Sequence, residues 1–580
     1  MKQKIKVLLA GFLIVLLVLT GCAKEKLLIQ RPEDGWYGQL EYQSVPYETI
    51  KTHNFDESRL LIALEELATT LQSDGNKEQV LTLYKTIIEE TDSLGTAMTL
   101  ANIEYNADIQ NRTAAEKSIA FTEQYNNLLD KVYPVLKTAL VSTYGDALEA
   151  EMLKVTTSDE IDKIKCYQGK SEDLLRLIRQ EQELTQQYDI AMQQEIEAEI
   201  NGEIWTVQKL QTDPPSDVTE EYKINKALQN AKVDAIGEIF RELLDVRTQI
   251  AKAEGYDNYA NYAYEELYNR DYTAKEIQKV YASVKEYFVP LYKQIQENSL
   301  KTDWNTLSQN KRISEEELLN TVEPYLEQID PELKKSFEIL RETHTYDMVE
   351  RKGKNNISFS TKIYSYGIPY LFLSPNGLIH DSSTLVHEFG HWNTMLHSKQ
   401  PMLFEGKNHD VAEINSQGLE LLFLDYADEL WGDGANAFRY NTVMKICSSV
   451  IEGCLYDEFQ NKLYENPNIT TEEISNLYGK LCKEYGLSNK SAGEWIYVTH
   501  TFSFPLYYIS YATSGLSSLD LYIESFKNRA QAVNRYMALT STGMTGSYRE
   551  SIAQVGMIDI FKHNSIKHIA GSLRSVLDLE

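Results

Sequence analysis

The chain has 580 residues, 42% of them hydrophobic and 25% charged, which suits a globular protein with a sizeable core and excludes a disordered or collagen-like one. Aspartate and glutamate outnumber lysine and arginine by 86 to 57, a formal net charge of −29. A surface that binds nucleic-acid phosphates must be basic, so this balance argues against a nucleic-acid partner, and it names no partner of its own.

The N-terminus reads as a targeting segment. MKQKIK, residues 1–6, is positively charged, and VLLAGFLIVLLVLT, residues 7–20, is apolar over the length of a signal h-region and short for a membrane span. The run ends on LTGC, Leu19 to Cys22, which resembles the lipobox of bacterial lipoproteins. That resemblance implies a signal peptide over residues 1–21 and a lipid on Cys22, which becomes the new N-terminus. Two acyl chains on one cysteine suffice for stable anchoring. The expectation is an extracytoplasmic protein held on a cell membrane by its lipid, with residues 22–45 as a tether.

From there the pattern is helical almost throughout, with only 13 prolines and 28 glycines to interrupt it, so the predicted class is mainly α. RLIRQEQELTQQYDIAMQQEIEAEI, residues 176–200, reads as one amphipathic helix. QTDPPSD, residues 211–217, is the strongest internal break and divides an N-terminal helical region, 46–215, from a second, 216–580. In YTAKEIQKVYASVKEYF, Thr273 and Glu276 have capping-box spacing, and Ile277, Val280, Tyr281, Val284 and Phe288 follow with the helical period. NISFSTKIY and YLFLS, within residues 356–374, are the best strand candidates. Beyond Cys22 the cysteines are Cys166, Cys447, Cys454 and Cys482, too few for a disulfide scaffold. Cys447 and Cys454 share a helical stretch that would hold their Cα atoms roughly 10 Å apart, beyond disulfide reach, so free thiols are expected.

LVHEFGHWNTMLH, residues 385–397, carries the chemistry. His387 and His391 are one helical turn apart, which points both imidazoles from one face, as a shared zinc ion requires. Glu388 sits one residue round from the first histidine, where it can act as a base on a water at that ion. DSST, residues 381–384, offers N-caps, and Leu385, Phe389, Trp392 and Leu396 form a separate apolar stripe. Gly390 weakens the helix by about 1 kcal/mol against alanine, a cost that would let another chain come close.

Two unrelated histidines on a surface helix would show the same pentapeptide, so a third ligand is needed. His397 has metzincin spacing, but that pattern turns the chain at a glycine where this sequence has Thr394, so His397 reads as structural. Asp410 and Glu413 are the other candidates, in the helical segment DVAEINSQGLELLFL. There Asp410, Glu413, Ser416, Gln417 and Glu420 form a polar stripe beside an apolar one. Such a stripe is either a solvated face or a set of ligands with supporting groups behind them.

HEFGH followed by DVAEINSQGLE resembles the thimet oligopeptidase and oligoendopeptidase F family of zinc peptidases, whose pattern is HExxH, a longer gap, then E-x-x-S-(Q)-x-x-E. Further stretches are similar to the oligoendopeptidase branch: GYDNYANYAYEELYNRDYTAKEI (255–277), the approach to the helix from residue 351, and HTFSFPLYYISYATSGL (500–516). The chain departs from that branch at KNN, Lys354-Asn355-Asn356, where relatives usually have glycines, and by one extra residue between His500 and the tyrosines. The resemblance implies one zinc ion on His387, His391 and Glu413, with Asp410, Ser416 and Glu420 as supporting groups. It implies Glu388 as the base, and His500, Tyr511 and Tyr507 or Tyr508 as donors to the developing oxyanion. It also implies an elongated all-helical fold with a deep substrate channel and a small β element beside the metal helix, where YLFLS would be an edge for an added substrate strand.

The expected activity is zinc-dependent endoproteolysis of short unstructured peptides by a monomer anchored through Cys22. Two other readings use the same residues: a lipid-anchored peptide-capture protein without catalysis, and a zinc carboxypeptidase or dipeptidase. An intact Glu388 favours an enzyme, because capture has no use for a base.

Overall fold

The computed structural model describes residues 29–579 apart from 39, 74–75, 303–311, 406–407 and 544. The signal peptide, Cys22 and the first part of the tether lie outside the described residues. Helices make up 71% of the chain, about twice the share in an average globular protein, so the packing is helix on helix. None of the described helices is long and apolar enough to cross a membrane.

The helices that position the site are α1 (Lys77–Ala107), α2 (Val218–Ala253), α3 (Asp381–His397), α4 (His409–Phe423), α5 (Ala435–Glu465), α6 (Ile509–Lys527) and α7 (Arg529–Ser541). The main core runs from Trp36 to Leu579 and contains α3 to α7. A second core lies among residues 60–164 and is joined by Leu403 and Phe404. The packing runs across the break at 211–217, because Trp205 and Leu210 on one side share a cluster with Ile224 and Leu228 on the other.

Local chemistry corrects three expectations. The segment read as one helix over 176–200 ends at Gln193, and Glu197–Ile200 (β1) instead pairs antiparallel with Glu203–Thr206 (β2). The reason is Asn201-Gly202, whose φ values of 56° and 81° make the tight turn that suits two twisted strands. The start of α3 is not capped from DSST: Asp381 instead turns its carboxylate back to accept the amides of Asn376 and Leu378 at 3.0 and 3.1 Å, which fixes the incoming loop. The third concerns the sheet. Phe359–Ile363 (β4) and Ile368–Phe372 (β5) are antiparallel, and Tyr346–Asp347 (β3) adds parallel to β5, giving the order β3-β5-β4. Leu371 and Leu373 donate to Thr345 and Asp347 carbonyls at 2.9 Å, so YLFLS is the central strand and β4 is the edge. The capping box at Thr273 and Glu276 is present, and all five apolar positions that follow it are buried.

Helix α3 is held against the sheet by two bonds: Trp392 Nε1 donates to Pro369 O at 2.8 Å, and Ser360 Oγ to Glu388 O at 2.8 Å. On its other side it meets α4 at Gly390. A Cβ there would lie 2.5 Å from Asn415 O and 2.7 Å from Ser416 Cα, both backbone atoms. Helix α6 is buried from Ile509 to Glu524 with the single exception of Tyr511, and two of its serines bond to α4: Ser510 Oγ to the Asp410 carboxylate and Ser514 Oγ to the Asp410 carbonyl, both at 2.5 Å.

Gly390→Ala should therefore push α3 and α4 apart. Overpacking of this kind typically costs about 1–3 kcal/mol, and backbone cannot rotate out of the way, so the upper end is expected. Denaturant unfolding checks it; a variant as stable as wild type would mean the close approach constrains nothing.

Candidate metal centre

His387 and His391 project from one face of α3 with ring centroids 5.1 Å apart and planes at 80°. Glu413 reaches them from α4, its Oε2 lying 3.6 Å from His387 Nε2 and 3.7 Å from His391 Nε2. The three donor atoms lie within 4.8 Å of one another. Tetrahedral zinc with bonds of about 2.0–2.2 Å needs donors roughly 3.3–3.6 Å apart, so two imidazole nitrogens and one carboxylate oxygen at these distances fit the ion in kind and in spacing.

The groups behind the ligands decide which atoms are free to bind. Glu420 Oε1 lies 2.6 Å from His387 Nδ1, and its other oxygen accepts from Ser383 Oγ at 3.1 Å. A carboxylate only accepts, so a proton is held on Nδ1 and Nε2 is the atom left on the Glu413 side to bind an ion. Ser416 Oγ lies 3.1 Å from Glu413 Oε2 and steadies the third ligand. The polar stripe of α4 is thus an internal face: Ser416, Gln417 and Glu420 are buried, while the carboxylate of Glu413 looks into the site.

Charge follows from this packing. Burial works against protonated His387, but the carboxylates of Glu420, Glu413 and Glu388 together outweigh it and raise the imidazole to about 9. Burial holds His391 down to about 4 and raises Glu388 to about 7. Burial also pushes Glu420 upward, yet Lys445 and His387 together hold it below the usual carboxylate range. Glu388 sits between the metal face and the β4 edge, with Ser360 Oγ 3.5 Å from its Oε2.

His500 gathers the three tyrosines, with ring centroids 5.6 Å from Tyr507, 4.9 Å from Tyr508 and 6.4 Å from Tyr511. Tyr507 and Tyr511 are 5.4 Å apart, and burial, with the negative charge of Glu413 in addition, keeps both phenols protonated. Tyr508 turns away, packing on Tyr456 at 4.7 Å. Of the two alternatives, the structure puts Tyr507 on the Glu413 side. Burial lowers the His500 pKa and favours its neutral form.

Two candidates stand apart. His397 stacks on Tyr37 at 3.3 Å, with Nε2 3.3 Å from Ser336 Oγ. Both carboxylate oxygens of Asp410 are engaged elsewhere: Oδ1 accepts from Ser510 at 2.5 Å and Arg270 at 3.4 Å, and Oδ2 from Tyr272 at 2.6 Å. Asp410 therefore supports the site by fixing α4 to α6. The sequence reading missed Ser383, Ser360 and Leu506. Leu506 has φ of 64°, a left-handed backbone rare for leucine, and it is pinned by Gln460 on its amide at 2.9 Å and Arg270 on its carbonyl at 3.0 Å. Nothing in one sequence distinguishes these from other serines and leucines.

Residues 327–570 match the family model of peptidase family M3. The matched region contains the triad, Glu388, His500 and the tyrosines, and begins after the 255–277 stretch. Oligopeptidase PepF of Bacillus subtilis (strain 168) is 26% identical over 252 residues, covering 41% of this chain and 37% of the relative. An oligoendopeptidase F homolog of Borreliella burgdorferi is 28% identical over 237 residues, covering 38% of this chain and 40% of the relative. The aligned stretch thus spans well under half of either relative's length. Two solved structures extend the likeness over the whole fold. One, designated an oligoendopeptidase F, has a TM-score of 0.73 at 21% identity and covers 91% of this chain and 98% of its own. PZ peptidase A with an inhibitor has a TM-score of 0.72 at 20% identity, covering 91% and 99%. At this identity the likeness is one of fold, and the helical peptidase architecture is common to all three chains.

Zinc titration tests the geometry. Glu413→Ala should lose the ion and His397→Ala should keep it. Glu420→Gln should weaken affinity by about 10- to 100-fold, the usual effect of removing a partner that orients a ligand. Metal retained in full by Glu413→Ala would show that the third ligand lies elsewhere.

Proposed function

We propose that this protein is an extracytoplasmic zinc-dependent oligoendopeptidase, anchored in the membrane through Cys22, that hydrolyses bonds in short unstructured peptides. The observation that carries the reading is the convergence of His387, His391 and Glu413 beside a buried Glu388. Zinc held by those three side chains would supply a Lewis acid and bring the pKa of a water down towards about 7.

The protein's own groups do the rest. Glu388, destabilised as an anion by burial, accepts a proton from the attacking water and passes it to the leaving amine. The hydroxyls of Tyr511 and Tyr507, kept protonated, donate to the carbonyl oxygen as it gains charge, with neutral His500 behind them. Losing one such donor typically costs about 100- to 1,000-fold in rate. The β4 edge supports peptide docking in register. Pro369 has no N–H and stands opposite Lys362, so that pair is not hydrogen-bonded to β5; by alternation Ser360 also turns its backbone outward. Lys362 O is already taken by Thr99 at 3.1 Å, which leaves the edge at Ser360, next to Glu388, for a substrate strand.

Glu388→Gln keeps the ligands and the side-chain shape and removes the base. Zinc content should stay near one per chain, and hydrolysis of a quenched fluorescent peptide of about eight to ten residues should fall by roughly 100- to 10,000-fold. Tyr511→Phe should lower kcat more than it raises KM, because its hydroxyl acts mainly in the transition state. Wild-type protein that is loaded with zinc, binds peptides and cleaves none would instead be a capture protein. Release of single residues or dipeptides only, seen by mass spectrometry, would make it an exopeptidase.

Localisation is checked by fractionation. Cys22→Ala should release the protein from the membrane or leave its signal uncleaved; a processed variant still bound to membrane would remove the lipid from the account.

A further inference from the structure

A cavity of about 430 Å³ opens beside the tyrosines, lined by Tyr292, Met444, Lys445, Ser448, Tyr508 and Tyr511 among others. Tyr511 is shared with the metal site, so a peptide whose scissile carbonyl lies at that hydroxyl extends a side chain or its chain end into this space. The cavity is also lined by Glu452, which is balanced by Lys490 at 3.6 Å and flanked by the hydroxyls of Ser448 and Tyr456 at 3.5 Å each.

Lys445 is different. It stands exposed on α5, and among the described residues its ammonium has no ion pair and no hydrogen bond to protein. The one carboxylate in the lining, Glu452, is paired with Lys490, so the Lys445 ammonium at the cavity wall is left to water and open to a ligand. Its charge reaches inward as far as Glu420. In the same wall Tyr292 OH donates to Ser448 Oγ and Ser448 Oγ to Glu452, each at 3.5 Å, which leaves Lys445 as the cation of the lining.

We propose that Lys445 receives a carboxylate of the bound peptide, making it a specificity-determining residue of the site; this rests on the peptide-hydrolase reading above. The carboxylate has two sources, an aspartate or glutamate side chain at one fixed distance from the scissile bond, or the C-terminus of the peptide.

The test uses the zinc-loaded protein and peptide pairs that differ in one charge. One series replaces glutamine by glutamate at each position in turn; the other compares a free C-terminus with its amide. kcat/KM should favour the anionic member in one of them, at one position only. Lys445→Met should reduce that ratio by about three- to tenfold, the scale of a partly desolvated charge pair. Lys445→Glu should invert it in favour of lysine at the same position. A glutamate preference assigns the side chain, and a free-carboxyl preference assigns the C-terminus. A preference equal at all positions would trace to the overall field and overturn the proposal, as would one that survives in Lys445→Met. The same pairs titrated by fluorescence anisotropy against Glu388→Gln read binding alone. If wild type cleaves nothing, the hydrolase reading falls, and the Kd ratio of each pair still decides whether Lys445 selects the carboxylate.

Discussion

The close approach of two helices at a glycine underlies the site. His387 and His391 are fixed on α3 by the period of the helix, but Glu413 belongs to another helix, and a carboxylate side chain is short. It reaches both imidazoles only because α4 passes with its backbone against Gly390, in space a methyl group would fill. The intrinsic penalty of glycine in a helix is about 1 kcal/mol. That loss is offset by burial of the apolar stripe of Leu385, Phe389, Trp392 and Leu396, each side chain of which is worth roughly 1.5–3 kcal/mol or more. The same helix is held on β4 and β5, so Glu388 and the strand edge at Ser360 are placed by the helix that places His387 and His391.

A buried polar assembly carries this arrangement outward. Arg270 is a charge with almost no exposure, and it survives there because Asp410, Ser510 and the Leu506 carbonyl meet its guanidinium while Tyr268 and Tyr264 cover its faces at 4.4 and 4.6 Å. An isolated buried cation would be costly, whereas one with each of its three nitrogens hydrogen-bonded locks the elements it touches. Those elements are the start of α4, which carries Glu413, and the Leu506–Ser510 entry into α6, which carries Tyr507, Tyr508 and Tyr511 on and beside it. Glu413 and the tyrosines thus share one anchor.

How much of this was legible in the sequence depends on how local the cause is. The pairing of His387 with His391, the capping box at Thr273 and the buried stripe of α3 are consequences of helical period, and they read directly. The triad residue Glu413 came from a pattern resemblance, since no local rule separates it from Asp410. The structure separates them by partners: Asp410 faces Arg270 and Tyr272, Glu413 faces the imidazoles. The strand order misread has the same origin. Two apolar runs separated by a turn announce a hairpin, but the short parallel strand at Tyr346–Asp347 that turns β5 from an edge into a centre is set by tertiary packing alone. The hairpin at Asn201-Gly202 was legible and overlooked, because charged residues on both sides continued the helical rhythm.

The choice between Tyr507 and Tyr508 shows where local rules end. Adjacent residues at the start of a helix point in directions about 100° apart, so a shift of one residue in the preceding loop exchanges their roles. Between His500 and these tyrosines the chain bends at Leu506, in a left-handed conformation. Such a backbone costs of order 1–3 kcal/mol and persists only when the surroundings hold it. Gln460 holds its amide and Arg270 its carbonyl, which is why Tyr507 turns to Glu413 while Tyr508 is left to pack on Tyr456. The strain at Leu506 is therefore the physical link between the buried arginine and the direction in which the phenol points.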